Sequence, residues 1–74
     1  MQLNLKSKRT KEEILARGDE PLSVRAPLTR RGWEMIAAAS DGDPVTVLSL
    51  DGWEFTGTVI DIDEERYAFW IELA

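Results

Sequence analysis

The sequence predicts a small α+β domain in which an N-terminal helical region precedes a three-stranded, antiparallel and strongly bent β-meander. Three observations favour this class. The pair Asp51-Gly52 separates two β-rich segments, and glycine accepts the positive φ that a tight hairpin turn requires. The charged run 63–66 separates the second of these segments from a third, residues 67–73. Two stretches before the meander have the capping residues of short helices.

Residues 1–28 are predicted to form a basic arm with one short helix, and residues 29–74 to form the domain itself. Residues 2–6 alternate polar and apolar side chains, which is typical of a short strand. Thr10 and Glu13 have the spacing of a capping box, and Gly18 supplies the usual helix stop. Prolines at 21 and 27 predict a loop or an extended edge segment over residues 20–27, because each removes an amide donor.

A second helix is predicted from Thr29, a suitable N-cap, to the turn residues 41–44. The spacing i, i+3, i+4, i+7 puts one set of residues on a single face, and this face is expected to cover the meander: Trp33, Ile36, Ala37 and Ser40. Trp33 is therefore expected in the core, together with one of Trp53 and Trp70.

Two hairpin registers stay open. A two-residue loop at Asp51-Gly52 places Leu50 opposite Trp53. A three-residue turn with a glycine bulge instead puts four apolar residues on one face: Val45, Val47, Phe55 and Val59. A slip of one residue inverts every side chain, so the pattern alone does not choose between them.

The first strand of the meander is apolar on both faces and the last one nearly so, whereas one amphipathic helix covers only one face. The open edge, residues 67–73, is therefore expected to meet a second subunit or another protein, with the segment 1–28 wrapping over it as the alternative. The predicted species is a homo-oligomer. The residues expected to bind a partner are Trp53, Tyr67, Phe69, Trp70 and Ile71.

Composition argues against an enzyme. The chain has no cysteine and no histidine, so thiolate nucleophiles, imidazole bases, disulfides and the usual zinc ligands are absent. The carboxylates at 61–65 lack the spacing of a calcium loop, and no glycine-rich phosphate loop occurs. No catalytic residue, metal or cofactor is predicted. No segment has the length of a membrane span or the apolar core of a signal peptide, which predicts a cytoplasmic protein without membrane contact.

Charge is distributed unequally along the chain. Residues 1–33 hold eight basic and four acidic side chains, a net +4, whereas residues 34–74 hold one basic and ten acidic ones, a net −9. Such a split concerns partners and association rather than fold. It raises nucleic-acid binding as an alternative, with six candidate phosphate contacts: Lys6, Lys8, Arg9, Lys11, Arg30 and Arg31.

Residues 30–73 resemble the first Sm motif of Sm-like proteins. The shared order is a helix, then Val-Thr-Val, then Asp-Gly, then Trp-Glu-Phe-Thr-Gly-Thr-Val, then an aspartate four residues on; the second Sm motif is absent, and Tyr67 follows where the family has asparagine. The resemblance implies a small β-barrel. The matching positions are Val45, Val47, Gly52, Phe55, Gly57, Val59 and Asp63.

Taken together, these patterns favour a non-enzymatic protein-interaction module that associates with itself. Its role would be that of an adaptor or a regulatory inhibitor, of the compact kind that phages and other mobile elements encode. The alternative is an Sm-like protein that binds nucleic acid through its basic arm. A third interpretation is a winged-helix reader, with residues 29–40 as recognition helix and the Asp51-Gly52 hairpin as an acidic wing.

Overall fold

A computed structural model describes the whole chain, residues 1–74. Its elements in chain order are β1 (Leu3–Lys6), α1 (Lys11–Ala16), β2 (Leu22–Arg25), α2 (Arg30–Ala38), β3 (Pro44–Leu48), β4 (Glu54–Asp63) and β5 (Ala68–Leu73). The five strands form one curled, half-barrel sheet with the order β1-β3-β4-β5-β2. Because β1 runs parallel to β3 and every other neighbouring pair is antiparallel, the sheet is mixed. Neither helix is long and apolar enough to span a membrane.

The predicted fold class, an N-terminal helical region followed by a three-stranded antiparallel meander, is wrong. The meander exists as β3, β4 and β5, but it is only the middle of the sheet. β1 pairs with the outer edge of β3, with Leu3 opposite Val45, and β2 pairs with the outer edge of β5, with Leu22 opposite Ile71. The physical reason is that a meander has two open edges, and these strands satisfy the unpaired N–H and C=O groups along both.

The core lies on the concave face of the sheet, under both helices. β1 and β2 each alternate buried and less buried residues, so each presents two apolar side chains inward. Six of the thirteen buried core residues come from the segment 1–28, which shows that this segment is part of the domain rather than an arm. The thirteen are Leu3, Leu5, Ile14, Leu22, Val24, Ala26, Met35, Ile36, Val45, Val47, Val59, Phe69 and Ile71.

The hairpin between β3 and β4 uses the three-residue turn. Val47 lies opposite Phe55 and Val45 opposite Gly57. The loop residues 50–52 are closed by a hydrogen bond from the Ser49 amide to the Trp53 carbonyl (2.7 Å), and Gly52 has a φ of +91°. This is the glycine-bulge register, which places Val45 and Val47 on the inner face with Phe55.

Helix α1 has the caps that the sequence predicts. The Thr10 hydroxyl accepts from the Glu13 amide (3.3 Å), and the Thr10 amide donates to Glu13 Oε1 (3.2 Å), which completes a capping box. The helix ends before Gly18, whose φ is +68°. Its only buried residue is Ile14, which is fully buried in the core.

Helix α2 begins after Thr29, whose hydroxyl accepts from the Gly32 amide (3.2 Å), as predicted. Its predicted inner face is wrong by one position, because the buried residues are Gly32, Met35 and Ile36, and Trp33 is 64% exposed. The cause is a close backbone approach: a Cβ at position 32 would collide with the Pro27 carbonyl. Only glycine at position 32 allows the helix to turn the face of Met35 and Ile36 towards the core. Trp33 then points to solvent.

Two features bend β4, the ten-residue strand at the centre of the sheet. A bulge shifts the register between Val59 and Asp61, so that Ile60 has no partner on β5. Two residues earlier, Gly57 lies so close to β5 that a Cβ would collide with the Glu72 carbonyl. A mid-strand glycine at such an approach allows the curl that brings β1 and β2 near each other.

We therefore expect Gly57→Val to lower the free energy of unfolding by about 1–3 kcal/mol, because the β-branched side chain has to displace the backbone of β5. Urea denaturation followed by tryptophan fluorescence measures this change. Thr58→Val is the matched control, since residue 58 is exposed on the other face of the same strand. It should leave stability unchanged or raise it slightly. Equal midpoints for Gly57→Val and the native protein would show that β4 tolerates a side chain at this position.

Candidate interaction surfaces

Three large apolar side chains are exposed around the β3–β4 hairpin, and we call them the hairpin-end surface: Leu15, Leu50 and Trp53. Their exposed fractions are 59%, 66% and 53%. Leu15 lies on α1, which meets the hairpin where Lys11 contacts Asp51, and Leu15, Lys11 and Asp51 line one shallow cavity. Apolar residues from two elements thus converge on one region of the surface.

The hairpin loop is fastened to the start of α1 by the carboxylate of Asp51. Oδ1 of Asp51 accepts from the Ser49 hydroxyl (2.6 Å) and from the backbone amide of Lys11 (2.9 Å). The Lys11 amide belongs to the first turn of α1, where helical amides have no partner within the helix. Asp51 is therefore a tertiary helix cap that joins residues 40 positions apart in the chain.

Two backbone bonds extend this attachment along the residues that precede Asp51. The Leu50 amide donates to the Arg9 carbonyl (2.8 Å), and the Ser7 amide donates to the Leu48 carbonyl (2.9 Å). Inside the loop, the Trp53 amide donates to the buried hydroxyl oxygen of Ser49 (2.8 Å). The backbone that carries Leu50 and Trp53 is thus fixed although their side chains are exposed.

Lys11 also contacts the indole of Trp53. Its Nζ lies 3.8 Å from the ring centroid, a cation–π geometry. The contact holds the ring over the first turn of α1, and more than half of the Trp53 side chain still faces solvent. Trp53 is consequently an exposed aromatic side chain with a restricted position.

Two carboxyl groups in the loops have shifted pKa values. The Ser49 hydroxyl, and then the Lys11 amide, lower the pKa of Asp51 below its ordinary value of 3.8 because they donate to the ionised form. The pKa of Asp43 is lowered mainly by the Ser40 amide, which donates to Oδ2 at 2.8 Å, and then by the amino group of Met1. Asp51 thereby joins the β3–β4 loop to α1, and Asp43 joins the amino terminus to the loop before β3.

The residues predicted to bind a partner lie in different environments. Trp53 is exposed, Tyr67 is half-buried, and Trp70 is half-buried on the convex face opposite Ser23 of β2. Phe69 and Ile71 are fully buried on the concave face. Residues 69 and 71 are therefore core and present no surface in this fold, and β2 pairs with the edge of β5 that was expected to be open.

The six candidate phosphate contacts fall into two separate groups. Lys6, Lys8, Arg9 and Lys11 lie at the end of β1 next to the hairpin, whereas Arg30 and Arg31 begin α2. Arg31 shares a shallow cavity with residues 1–4, at the opposite end of β1. Arg30 pairs with Glu34 at 3.5 Å. Acidic side chains on α1 and the hairpin lie among the first group: Glu12, Glu13, Asp51 and Glu54.

A second apolar group, which we call the α2 surface, consists of the exposed Leu28 and Trp33 and the half-buried Tyr67. Leu28 is 88% exposed, and the rings of Trp33 and Tyr67 stack with centroids 6.4 Å apart and planes 11° from parallel. No surface role was predicted for Leu15, Leu28 and Leu50. Leu28 follows Pro27 and precedes the N-cap, and Leu50 lies inside a turn, so both positions carried a signal for exposure.

The carboxylates at 61–65 do not come together as a set of three that could hold a metal ion. Comparison with known proteins finds no matching family model, no curated protein and no solved structure. The resemblance of residues 30–73 to the first Sm motif therefore stays a prediction.

Asp51→Asn should destabilise the protein at neutral pH, because the amide oxygen accepts the same hydrogen bonds without the negative charge. The folded-state pKa of Asp51 is below its unfolded value, so the carboxylate stabilises the fold at pH values above about 4. That contribution is lost as the pH falls through the folded-state pKa. The difference in unfolding free energy between native and variant proteins should thus shrink as the pH is lowered from about 5 towards 2.

Urea denaturation of both proteins at a series of pH values tests this prediction. Asp43 is present in both, so its own titration cancels in the difference. Asp19→Asn, in the exposed turn after α1, removes the same charge away from the hairpin and is the matched control. A native–variant difference for Asp51 that is constant with pH would contradict the assigned role of its carboxylate.

Proposed function

We propose that this chain is a non-enzymatic protein-interaction module that binds a partner protein through the hairpin-end surface. One observation supports this most directly: Leu15, Leu50 and Trp53 are each more than half exposed while the backbone beneath the loop is fixed by hydrogen bonds. Exposed apolar groups that converge on one region are typical of interaction sites.

The rigidity of the loop favours binding energetically. Association costs free energy when loops and side chains are immobilised at the interface, and a loop that is already fixed reduces this cost. Trp53 has few rotatable bonds and a large apolar ring, and the Lys11 contact restricts it further. Tryptophans of this kind are the residues at which binding energy concentrates in interfaces.

We also propose that the protein associates with itself and acts as an adaptor or a regulatory inhibitor in the cytoplasm. A chain of 74 residues buries a smaller fraction of its surface than a larger domain does, so a second subunit adds stability that the core alone does not supply. Because Phe69 and Ile71 are fully buried, we place the contact on the exposed apolar groups instead.

Nucleic-acid binding is the second candidate, and one observation favours it. Lys11 lies over the exposed ring of Trp53, and aromatic rings beside cations bind single strands. Three more basic side chains precede Lys11 between the end of β1 and the start of α1: Lys6, Lys8 and Arg9. The four acids of α1 and the hairpin weigh against it, because they offset this positive charge where a phosphate backbone would approach. We therefore rank a protein partner first.

Trp53→Ala should weaken binding of the partner by about 30-fold or more, the effect of losing a hot-spot residue worth about 2 kcal/mol. Affinity capture from cells of the source organism, with the native protein, Trp53→Ala and Trp33→Ala as bait, identifies the partner; calorimetry with the purified partner measures the affinity. Trp33→Ala is the matched control, because it removes another tryptophan that is more than half exposed, from the other surface. Equal capture by Trp53→Ala and the native protein would contradict the proposal.

A gel-shift titration at low salt separates the two candidates. We expect no tight complex with mixed-sequence RNA or DNA. If nucleic acid were the ligand, the logarithm of affinity would fall with the logarithm of salt concentration by about 0.7–0.9 per phosphate contacted. Charge reversal at Lys8 and Arg9 would then abolish the complex, and that pair of results would reverse the ranking.

A further inference from the structure

We infer that Asp51-Gly52 is a latent site of aspartate isomerisation, a covalent modification that detaches the β3–β4 hairpin from α1 and so regulates the hairpin-end surface. The part of this inference that concerns binding rests on the proposed function, whereas the chemistry at residue 51 does not. Glycine has no Cβ, so its amide nitrogen can approach the side-chain carboxyl carbon of the aspartate before it. The chain contains two such pairs, Asp41-Gly42 and Asp51-Gly52.

The reaction needs water and no other reagent. The Gly52 nitrogen attacks Cγ of the protonated Asp51 carboxyl group, an N–Cγ bond forms, and one carboxyl oxygen leaves as water with the amide proton and the carboxyl proton. The product is a succinimide ring. Water then adds to Cγ, which restores aspartate, or to the backbone carbonyl carbon of residue 51, which breaks the bond from that carbon to the Gly52 nitrogen. In this second product, isoaspartate, the chain runs through Cβ and Cγ.

The folded hairpin restrains both reacting groups. The Gly52 amide donates to the Ser49 carbonyl (3.1 Å), and Oδ1 of Asp51 accepts from the Ser49 hydroxyl (2.6 Å) and the Lys11 amide (2.9 Å). The Ser49 hydroxyl, and then the Lys11 amide, also lower the pKa of Asp51, and the carboxylate that they favour is a poorer electrophile than the protonated acid. The pair therefore reacts only after the loop opens locally.

Isomerisation removes the attachment of the hairpin permanently. It adds one methylene group to the backbone of the turn and leaves the free carboxylate directly on Cα, one bond closer to the chain. A carboxylate displaced in this way loses its bonds to the Ser49 hydroxyl and the Lys11 amide. Lys11, whose Nζ contacts the Trp53 ring, then loses its fixed position. The exposed ring loses the restriction that lowers the cost of binding.

Asp41-Gly42 is a reference site within the same chain. The Gly42 amide donates to the Val59 carbonyl (2.6 Å), so its nitrogen is restrained as that of Gly52 is. The Asp41 side chain is exposed, and the donors of this loop, the Ser40 amide and the Met1 amino group, bond to Asp43 instead. Loss of the bonds to Asp51 should therefore accelerate the reaction at residue 51 and leave the rate at residue 41 unchanged.

Isoaspartate measured at both pairs tests the inference. The full chain is incubated at neutral pH with and without concentrated urea, and peptide mapping by chromatography separates isoaspartyl from aspartyl peptides, which have equal mass. In urea the two pairs should react at similar rates. Without urea, residue 51 should react about 10-fold or more slowly than in urea, because the reaction then requires local opening. Equal rates at residue 51 in both conditions overturn the inference, and so does the absence of isoaspartate at residue 51 in urea.

Two variants test the restraint through different donors. Ser49→Ala removes the hydroxyl, and Lys11→Pro removes the amide at the first position of α1, where proline is well tolerated. Each should raise the rate at residue 51 without urea by about 5-fold, the effect of one lost hydrogen bond, and leave that at residue 41 unchanged. An equal rise at both residues would show that the hairpin opens only with the whole protein, which overturns the local restraint.

Isomerised protein, separated from the native form by chromatography, tests the effect on the hairpin. Its Lys11 amide should exchange with solvent about 10-fold or more rapidly than in the native protein, while the amides of β4 keep their protection. Unchanged protection of Lys11 overturns the detachment. None of these measurements uses a partner, so their failure leaves the proposed function standing. Equal capture of a partner by Trp53→Ala and the native protein contradicts the proposed function and leaves the modification site standing.

Discussion

The pairing of the two N-terminal strands with the outer edges of the meander is the interaction on which the rest of the structure depends. Leu3 pairs with Val45 and Leu22 pairs with Ile71, so each pairing joins residues that lie far apart in the chain. Closing such loops costs conformational entropy, although the cost rises slowly with length. Burial of the apolar side chains of β1 and β2 offsets it, at about 1.5–3 kcal/mol for each large aliphatic residue.

The same N-terminal segment also shapes the surface. After β1 the chain continues along the β3–β4 hairpin, where Arg9 and Lys11 bond to Leu50 and Asp51. Without this attachment the loop would have to satisfy its polar groups with water, and Trp53 would lose the cation beside its ring. Residues 26–29 after β2 are bonded to Tyr67: the Ala26 amide donates to the Tyr67 carbonyl, and the Tyr67 hydroxyl donates to the Thr29 carbonyl. Both exposed apolar surfaces therefore depend on the strands that close the sheet.

Local chemistry made part of this fold predictable. The capping box at Thr10, the N-cap at Thr29, the stop at Gly18 and the Asp51-Gly52 turn all act within a few residues, and the structure contains each of them. The sheet order was not predictable in the same way. Four-residue strands show too little alternation to identify distant partners, and Leu22–Arg25 follows a proline that suggests a loop as readily as an edge strand.

The tryptophans show why candidate sites were only partly predictable. Large apolar rings were expected in the core, yet Trp33 and Trp53 are exposed and Trp70 is half-buried on the convex face. The curled sheet encloses a narrow interior that aliphatic side chains and Phe69 fill. Which face of β5 points inward depends on packing against core residues from distant elements, and a close contact at Gly32 decides the rotation of α2. Neither is a property of the local sequence.

The most direct test that β1 and β2 are integral to the sheet is native-state hydrogen exchange of the full chain. If β1 and β2 are integral to the sheet, their hydrogen-bonded amides should exchange only through global unfolding, with the same opening free energy as those of β4. Fast exchange of β1 and β2 by local opening, while β3, β4 and β5 stay protected, would contradict it. In that case the segment before α2 would be a detachable arm on a meander that is stable alone.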